Sequence, residues 1–181
     1  MIAGKTVAAI SEVSGTRSCE VYPIQIGGTV YNVYDTPAVY APGFNPVSKL
    51  VESLQDGVSL LVFCLRGRIT EDALAIYQHF SQRLKRVPVV IVVTGLEHED
   101  PMESWWGKNK KTFDEYHMSF NGHACVTTLR GKGSIFASQY EKSTFAVRDL
   151  ITTHCLRDGL GPVCSYIVLA FLMLTLSQGG A

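Results

Sequence analysis

Two kinds of apolar pattern mark the strands of this chain. Residues 21–26 and 30–35 are short β-prone runs on either side of a Gly-Gly pair, which predicts a tight antiparallel hairpin. Residues 59–65 and 87–93 are continuous apolar runs, a pattern typical of parallel strands that are covered on both faces. A further short strand is predicted at 125–128. The hairpin therefore precedes a parallel part of the sheet.

Helices are predicted where apolar residues recur every three or four positions. Over 71–84, Leu74, Tyr77, Phe80 and Leu84 follow this spacing, and polar residues occupy the opposite side. Two more helices are predicted, at 102–116 and 139–153. Alternating strands and helices indicate an α/β fold, with ligands expected at the carboxyl ends of the parallel strands.

Length, charge and cysteine usage narrow the class of protein. The chain has 181 residues, the size of one ordinary domain, and its sixteen acidic and sixteen basic residues leave no net charge. No overall field then favours nucleic acid, which we exclude as a partner. The five cysteines are odd in number and never spaced as C-x-x-C, which indicates a reducing compartment. Since no secretion signal is recognisable, a cytoplasmic protein is predicted.

The composition changes near the C-terminus. Residues 163–176 form an apolar run, which is shorter than the roughly 20 residues that a membrane-spanning helix needs. We therefore expect a tail over 157–181 that could form a docked or interfacial helix, with membrane association through 163–176 as the alternative. The main domain is expected to end at residue 156.

The tripeptide Gly4-Lys5-Thr6 matches the end of a phosphate-binding loop. The complete loop reads G-x-x-x-x-G-K-[ST], follows a buried strand and opens a helix whose N-terminus faces the phosphates. Here both the strand and the first glycine are absent. Because such a tripeptide also arises by chance, its meaning depends on the features downstream.

Three predicted strand ends carry polar residues that could bind a nucleotide. Asp35 ends one strand, where a carboxylate can hold Mg²⁺, or it simply caps the turn at Pro37. Glu97 follows another strand in Thr94-Gly95-Leu96-Glu97, and its carboxylate could accept hydrogen bonds from guanine. The alternative is a solvated acidic cluster over 97–100. Thr127 and Thr128 lie in a third segment, which could close over the base.

Other reactive residues are given structural roles. Trp105 and Trp106 are expected to anchor the core rather than to stack on a base. His123 and Cys125 lack the spacing of a zinc site, and no third group is identifiable to orient them as a nucleophilic pair. The arginines of Arg66-Gly67-Arg68 are expected to be solvated, although this strand end could also approach a phosphate.

Four stretches in this order resemble the fungal G-domain proteins, relatives of the P-loop GTPases. They are VYDTP, SLLVFCLRGRIT, VPVVIVVTGLEHEDPMESWW and GHACVTTLRG, and the resemblance covers roughly residues 4–155. It implies that Lys5 contacts the β- and γ-phosphates and that the Thr6 hydroxyl binds Mg²⁺. Asp35 would begin the D-x-x-G switch and assist with Mg²⁺, and Thr94 to Glu97 would replace the N-K-x-D guanine reader.

The sequence departs from the family pattern at the phosphate loop and at three further positions. Ala38 replaces the switch glycine, and Gly95 stands where the reader has a lysine. Glu20 stands in place of the switch threonine, which is either absent or displaced to Thr16. These departures are expected to weaken nucleotide binding and, more strongly, GTP hydrolysis.

The resemblance implies a P-loop NTPase sheet of the GTPase type, mostly parallel with one antiparallel hairpin, helices on both faces and the first strand missing. It gives a G domain over 1–156 that binds GTP or GDP with Mg²⁺ and could hydrolyse GTP. No catalytic residue is identifiable, because no side chain is an evident water-positioning group. The alternatives are a degenerate, nucleotide-free G domain that binds a protein partner through the switch-like region 14–45, and an ATP-using P-loop enzyme. The predicted nucleotide-binding residues are Gly4, Lys5, Thr6, Asp35, Thr94, Glu97, Thr127 and Thr128, with Thr6 and Asp35 as the metal ligands.

Overall fold

A computed structural model describes residues 20–35, 57–156 and 165–171 of the chain. The predicted phosphate-loop residues Gly4, Lys5 and Thr6 lie outside these ranges, as do Ala38 and half of the switch-like region 14–45. The predictions for those residues are therefore not addressed by the structure.

Six strands, three α-helices and one short 3₁₀ helix make up the described ranges. The chain order is β1 (Glu20–Ile26), β2 (Thr29–Asp35), β3 (Val58–Arg66), α1 (Glu71–Arg83), β4 (Val89–Thr94), α2 (Ser104–Glu115), β5 (Gly122–Cys125), the 3₁₀ helix (Lys132–Ser134), α3 (Ala137–His154) and β6 (Ser165–Phe171).

The strands form one sheet in the order β1-β2-β6-β3-β4-β5. Only β1 is antiparallel to its neighbour; the pairings of β2 with β6, β6 with β3, β3 with β4, and β4 with β5 are all parallel. A mostly parallel sheet with one antiparallel hairpin is thus confirmed for the described strands.

The hairpin turn is formed by Gly27 and Gly28, both with positive φ, at 54° and 86°. A two-residue loop with two positive φ angles matches the right-handed twist of the flanking strands, and glycine adopts these angles without a steric penalty. The Gly-Gly prediction is confirmed, because Ile26 pairs directly with Thr29 across the turn.

The possible helix in the C-terminal tail is not found over residues 165–171, the part of the tail that the structure describes. Ser165–Phe171 is a strand, β6, which pairs with β2 on one side and with β3 on the other. The side chains of Ile167 and Leu169 are buried. A short apolar run rich in β-prone residues fits a strand that is covered on both faces as well as it fits a helix. From the sequence, we expect a sheet that lacks its first strand. In the structure, β6 occupies the position between β2 and β3.

Apolar side chains cover both faces of the sheet, as predicted. On one face, residues of α1 and α2, such as Phe80 and Phe113, pack with Phe63 and Ile91 from the strands. On the other face, residues of α3 pack against the alternate positions of β3 and β4 and against β6; they include Val147, Leu150 and Ile151. The two cores hold the strand ends in fixed relative positions.

Strand β5 begins and ends about three residues before its predicted position at 125–128. Asn121 starts the pairing, since its N–H donates to the Val89 carbonyl (2.7 Å) and its side-chain oxygen accepts from the Val89 N–H (2.9 Å). Gly122 lets α3 approach closely, because a Cβ atom there would lie 2.5 Å from Nε2 of His154. Thr127 therefore lies in the loop after β5 and not within the strand.

Candidate functional site

The parallel strands all end at one edge of the sheet, and most of the described candidate residues lie there. Asp35 ends β2, Arg66 ends β3 and Thr94 ends β4. Glu97 and Thr127 follow in the loops after β4 and β5. The sheet order thus places Asp35 toward one side of this edge and the Glu97 loop toward the other.

A direct hydrogen bond joins the two loops beyond β4 and β5. The hydroxyl of Thr127 donates to Oε2 of Glu97 (3.2 Å), and the Thr127 hydroxyl oxygen itself accepts from the Leu129 N–H (3.1 Å). The backbone adds a second link, from the Leu96 N–H to the Val126 carbonyl (3.3 Å). The structure therefore brings together the two side chains that the sequence proposes for base recognition, although they are 30 residues apart.

The buried side chain of Ser143 anchors this loop to helix α3. Its hydroxyl oxygen accepts from the Thr127 N–H (3.0 Å), and the hydroxyl donates to the Gln139 carbonyl (2.6 Å). Thr127 is itself fully buried, whereas Thr128 is exposed. Thr127 can thus reach a ligand only through Glu97. Sequence reasoning missed Ser143, whose signal is a hydroxyl residue at helical spacing from Val147 on the apolar face of α3.

Glu97 differs from the neighbouring acidic residue Glu99. Glu99 is engaged on the surface, where its Oε2 accepts from Lys108 Nζ (3.0 Å) and from the Ser104 hydroxyl (3.1 Å). Both interactions lower the pKa of Glu99, and the one with Lys108 has the larger effect. Among the described residues, the Glu97 carboxylate receives a hydrogen bond only from Thr127. A carboxylate offers about four acceptor positions, so Glu97 keeps acceptor capacity for a ligand.

The segment from Thr94 to Gly95 packs against the end of β3. The Thr94 hydroxyl donates to the Leu65 carbonyl (3.4 Å), and Arg66 pairs with Thr94 in the register of β3 and β4. Gly95 has a φ of +79°, and a Cβ atom there would lie 3.2 Å from Cγ of Arg66. Thr94 therefore links the two strands, and the Arg66 side chain lies over Gly95.

The tryptophans have the structural roles that the sequence predicts. Trp105 is buried in the core, and its indole N–H donates to the Gly67 carbonyl (3.3 Å), which fixes the loop after β3. Trp106 stacks on the His123 ring, with centroids 4.1 Å apart and planes 8° apart. Both rings are thus engaged in contacts within the protein.

Asp35 is half-buried and lies close enough to Cys64 to act on its titration. Burial raises the pKa of the Cys64 thiol to about 12, and the negative charge of Asp35 adds to the shift. Mg²⁺ typically uses one or two protein carboxylates together with substrate phosphates, so one carboxylate at this edge fits such an ion. The other predicted metal ligand, Thr6, lies outside the described residues.

His123 and Cys125 do not form a reactive pair. His123 Nε2 is hydrogen-bonded to Oε1 of Glu103, and burial together with the Glu103 charge raises the pKa of Cys125 to about 12. A thiol with that pKa is not a nucleophile at neutral pH. Over 20–35, 57–156 and 165–171, no cluster of three or more His, Cys, Asp or Glu side chains could hold a metal ion.

Strand order, helices on both faces and polar strand ends at one edge define an α/β fold with a mostly parallel sheet. A solved structure, Era in complex with MgGDPNP and nucleotides 1506–1542 of 16S ribosomal RNA, matches this chain with a TM-score of 0.64 at 18% identity. The match covers 87% of this chain and 51% of the Era chain, so this chain spans about half the length of Era. At this level of identity the likeness shows the fold alone.

The other comparisons give no match. No protein-family model matches the sequence, and no curated protein matches it. The resemblance to fungal G-domain proteins therefore stays a prediction. None of the helices in the described ranges has the length and apolar character needed to cross a membrane.

Proposed function

We propose that this chain is a GTP-binding domain of the P-loop GTPase class. The observation that carries the proposal is the Glu97 carboxylate, which Thr127 holds at the carboxyl edge of the parallel sheet. Guanine presents an N1–H and an exocyclic amine side by side, and a carboxylate accepts from both. Adenine presents no such pair of donors, so the site favours guanine nucleotides over adenine nucleotides.

The phosphates would lie on the side of the edge where β2 ends. Gly4, Lys5 and Thr6 would hold them, and Asp35 with Thr6 would hold Mg²⁺, which neutralises phosphate charge. The solved structure of Era contains MgGDPNP, which supports a guanine nucleotide with Mg²⁺ as the ligand for this fold. It also contains ribosomal RNA, but the balanced charge of this chain gives no reason to propose RNA here.

Thermal unfolding with Mg²⁺ and GTP, GDP or ATP tests the proposal. A ligand that binds only the native state raises the melting temperature, so GTP and GDP are expected to stabilise the protein more than ATP does. Lys5→Ala is expected to remove most of the effect. Lys85→Ala is the matched control, because Lys85 is exposed at the opposite edge of the sheet, before β4.

Two results would contradict the proposal. Equal melting temperatures with and without guanine nucleotide would favour the nucleotide-free interaction module, with the switch-like region 14–45 as its contact surface. Stronger stabilisation by ATP would favour an ATP-using enzyme and would remove the base-reading role from Glu97. Phosphate release from GTP measures hydrolysis separately, since binding does not require it.

A further inference from the structure

The side chain of Arg66 lies next to Gly95, which has no side chain of its own to contact the base in the proposed binding mode. Gly95 lies two residues before Glu97 and adopts a φ of +79°, a conformation that strongly favours glycine. Cγ, Nε and Cδ of Arg66 lie 3.2, 3.5 and 3.9 Å from the point where a Cβ atom of residue 95 would be. The Arg66 side chain, from the neighbouring strand β3, thus lies where a side chain of residue 95 would begin.

We propose that Arg66 binds the face of the guanine base, with its guanidinium plane stacked on the ring whose edge Glu97 reads. This inference rests on the proposed function. Arg66 pairs with Thr94 across β3 and β4, so its Cα is fixed directly beside the segment that leads to Glu97. A guanidinium group is planar and delocalised, and it stacks on aromatic faces with a cation–π contribution.

The sheet order places Arg66 on the path of the ligand. From Asp35 at the end of β2 to the Glu97 loop after β4, the edge crosses β6 and then β3. With neighbouring strands about 4.8 Å apart, these three steps span roughly 14 Å. A nucleotide with Mg²⁺ near Asp35 and its base at Glu97 must therefore pass over the end of β3, where Arg66 lies next to the base.

The guanidinium group of Arg66 is available for a ligand. Arg66 is exposed, and within the described ranges it makes no hydrogen bond or ion pair with another side chain. Arg130, in the loop after Thr127, is by contrast already placed over the Tyr140 ring, 4.6 Å from its centroid. Of these two arginines near the Glu97 loop, Arg66 is the one that can stack on a base.

The affinities of guanosine and of GDP with Mg²⁺, measured by calorimetry or ligand-observed NMR, test this role. Guanosine carries the base without phosphate, so Arg66→Ala should weaken guanosine and GDP by the same factor, about tenfold. Arg66→Lys keeps the apolar stem and the charge but loses the plane, and should weaken both by about threefold. It also serves as a second variant if Arg66→Ala does not fold.

Arg86→Ala is the matched control. Arg86 is exposed in the turn before β4, at the opposite edge of the sheet, so its removal subtracts the same charge and should leave both affinities unchanged. Loss of GDP affinity in Arg66→Ala with unchanged guanosine affinity would overturn the stacking role in favour of a phosphate contact. Unchanged affinity for both ligands would overturn any role of Arg66 in binding. If the unaltered protein bound neither guanosine nor GDP, the proposed function would itself fail.

Discussion

Two buried hydroxyl groups connect helix α3 to the loop that carries the proposed base reader. Ser143 accepts from the Thr127 N–H, and Thr127 in turn donates to Glu97. A buried N–H without a partner costs about 1–3 kcal/mol, so the chain loses stability and loop order together if Ser143 is removed. The position of Glu97 therefore depends on a residue that need not contact any ligand.

Ser143→Ala should lower the free energy of unfolding by about 1–3 kcal/mol, because it leaves the Thr127 N–H buried and unpaired. Urea unfolding measures this change. Ser81→Ala is the control, since among the described residues the Ser81 hydroxyl bonds only to the Gln78 carbonyl, at the surface of α1, and it should cost less than about 0.5 kcal/mol. Equal costs for the two variants would show that the Ser143 hydroxyl does not hold the loop.

At the scale of single residues, the sequence predicts the residues that follow strands and not those that support them. Glu97 could be proposed because it follows an apolar run, and Thr127 because it lies in a short predicted strand that ends at the same edge of the sheet. Ser143 could not, because a serine on a helix has many possible partners. From the sequence, Arg66 could be a solvated side chain or could approach a phosphate. Its contact with Gly95 could not be predicted, since that contact depends on the pairing of β3 with β4.

Among the elements, the β1–β2 hairpin has the most direct link between sequence and geometry. Gly27 and Gly28 have the φ angles of a turn with two left-handed residues. Asparagine is accepted at the first of these positions, whereas the second strongly favours glycine. The short connection therefore sets the register in which Ile26 faces Thr29.

Gly28→Ala should destabilise the protein by about 1 kcal/mol, because alanine is strained at a φ of 86°. Gly27→Asn, in the same turn, should be nearly neutral. Chemical denaturation of both variants gives the comparison. No space restriction complicates it, since a Cβ atom at either glycine would meet nothing within 4 Å. A neutral Gly28→Ala variant would contradict the described turn.

The other elements show where the spacing of apolar residues predicts the secondary structure and where it does not. The helices are found within two residues of their predicted bounds, because each carries a long amphipathic pattern. Strand β5 is shifted, since hydrogen bonds of Asn121 and the close packing at Gly122 decide where it begins. The run that contains strand β6 is expected from the sequence to be a possible helix, because a short apolar run has no distinguishing period. Pairing partners, which the sequence does not show, decide both cases.

For the whole molecule, β6 is the element that unifies the described sheet. It joins the antiparallel pair β1–β2 to the parallel strands β3–β4–β5, and all three parts share one core under α3. Substitutions in β6 should therefore affect the stability of the whole fold and not only of its C-terminal part. This outcome is opposite to the one expected for a separate C-terminal helix.

Ile167→Ala should lower the free energy of unfolding by about 2–5 kcal/mol, because Ile167 is fully buried in the core beneath α3. Ile135→Ala is the matched control, since Ile135 is 69% exposed and its truncation should cost less than about 0.5 kcal/mol. Urea unfolding followed by tryptophan fluorescence reports the change, because Trp105 lies in the core across the sheet. A negligible effect of Ile167→Ala would contradict the placement of β6.

The central proposal, that Glu97 reads guanine, is tested most directly by base preference. Xanthine has a carbonyl where guanine has its exocyclic amine, so a carboxylate favours guanine, whereas the amide of Glu97→Gln can accept from N1–H and donate to that carbonyl. Glu99→Gln is the control within the same acidic segment, since Glu99 is bound to Lys108 and Ser104.

The measurement is the affinity of GDP and of xanthosine diphosphate, each with Mg²⁺, for the three proteins. The unaltered chain and Glu99→Gln should prefer GDP by more than about tenfold, and Glu97→Gln should prefer xanthosine diphosphate. If all three proteins showed the same ratio of affinities, Glu97 would not be the residue that reads the base.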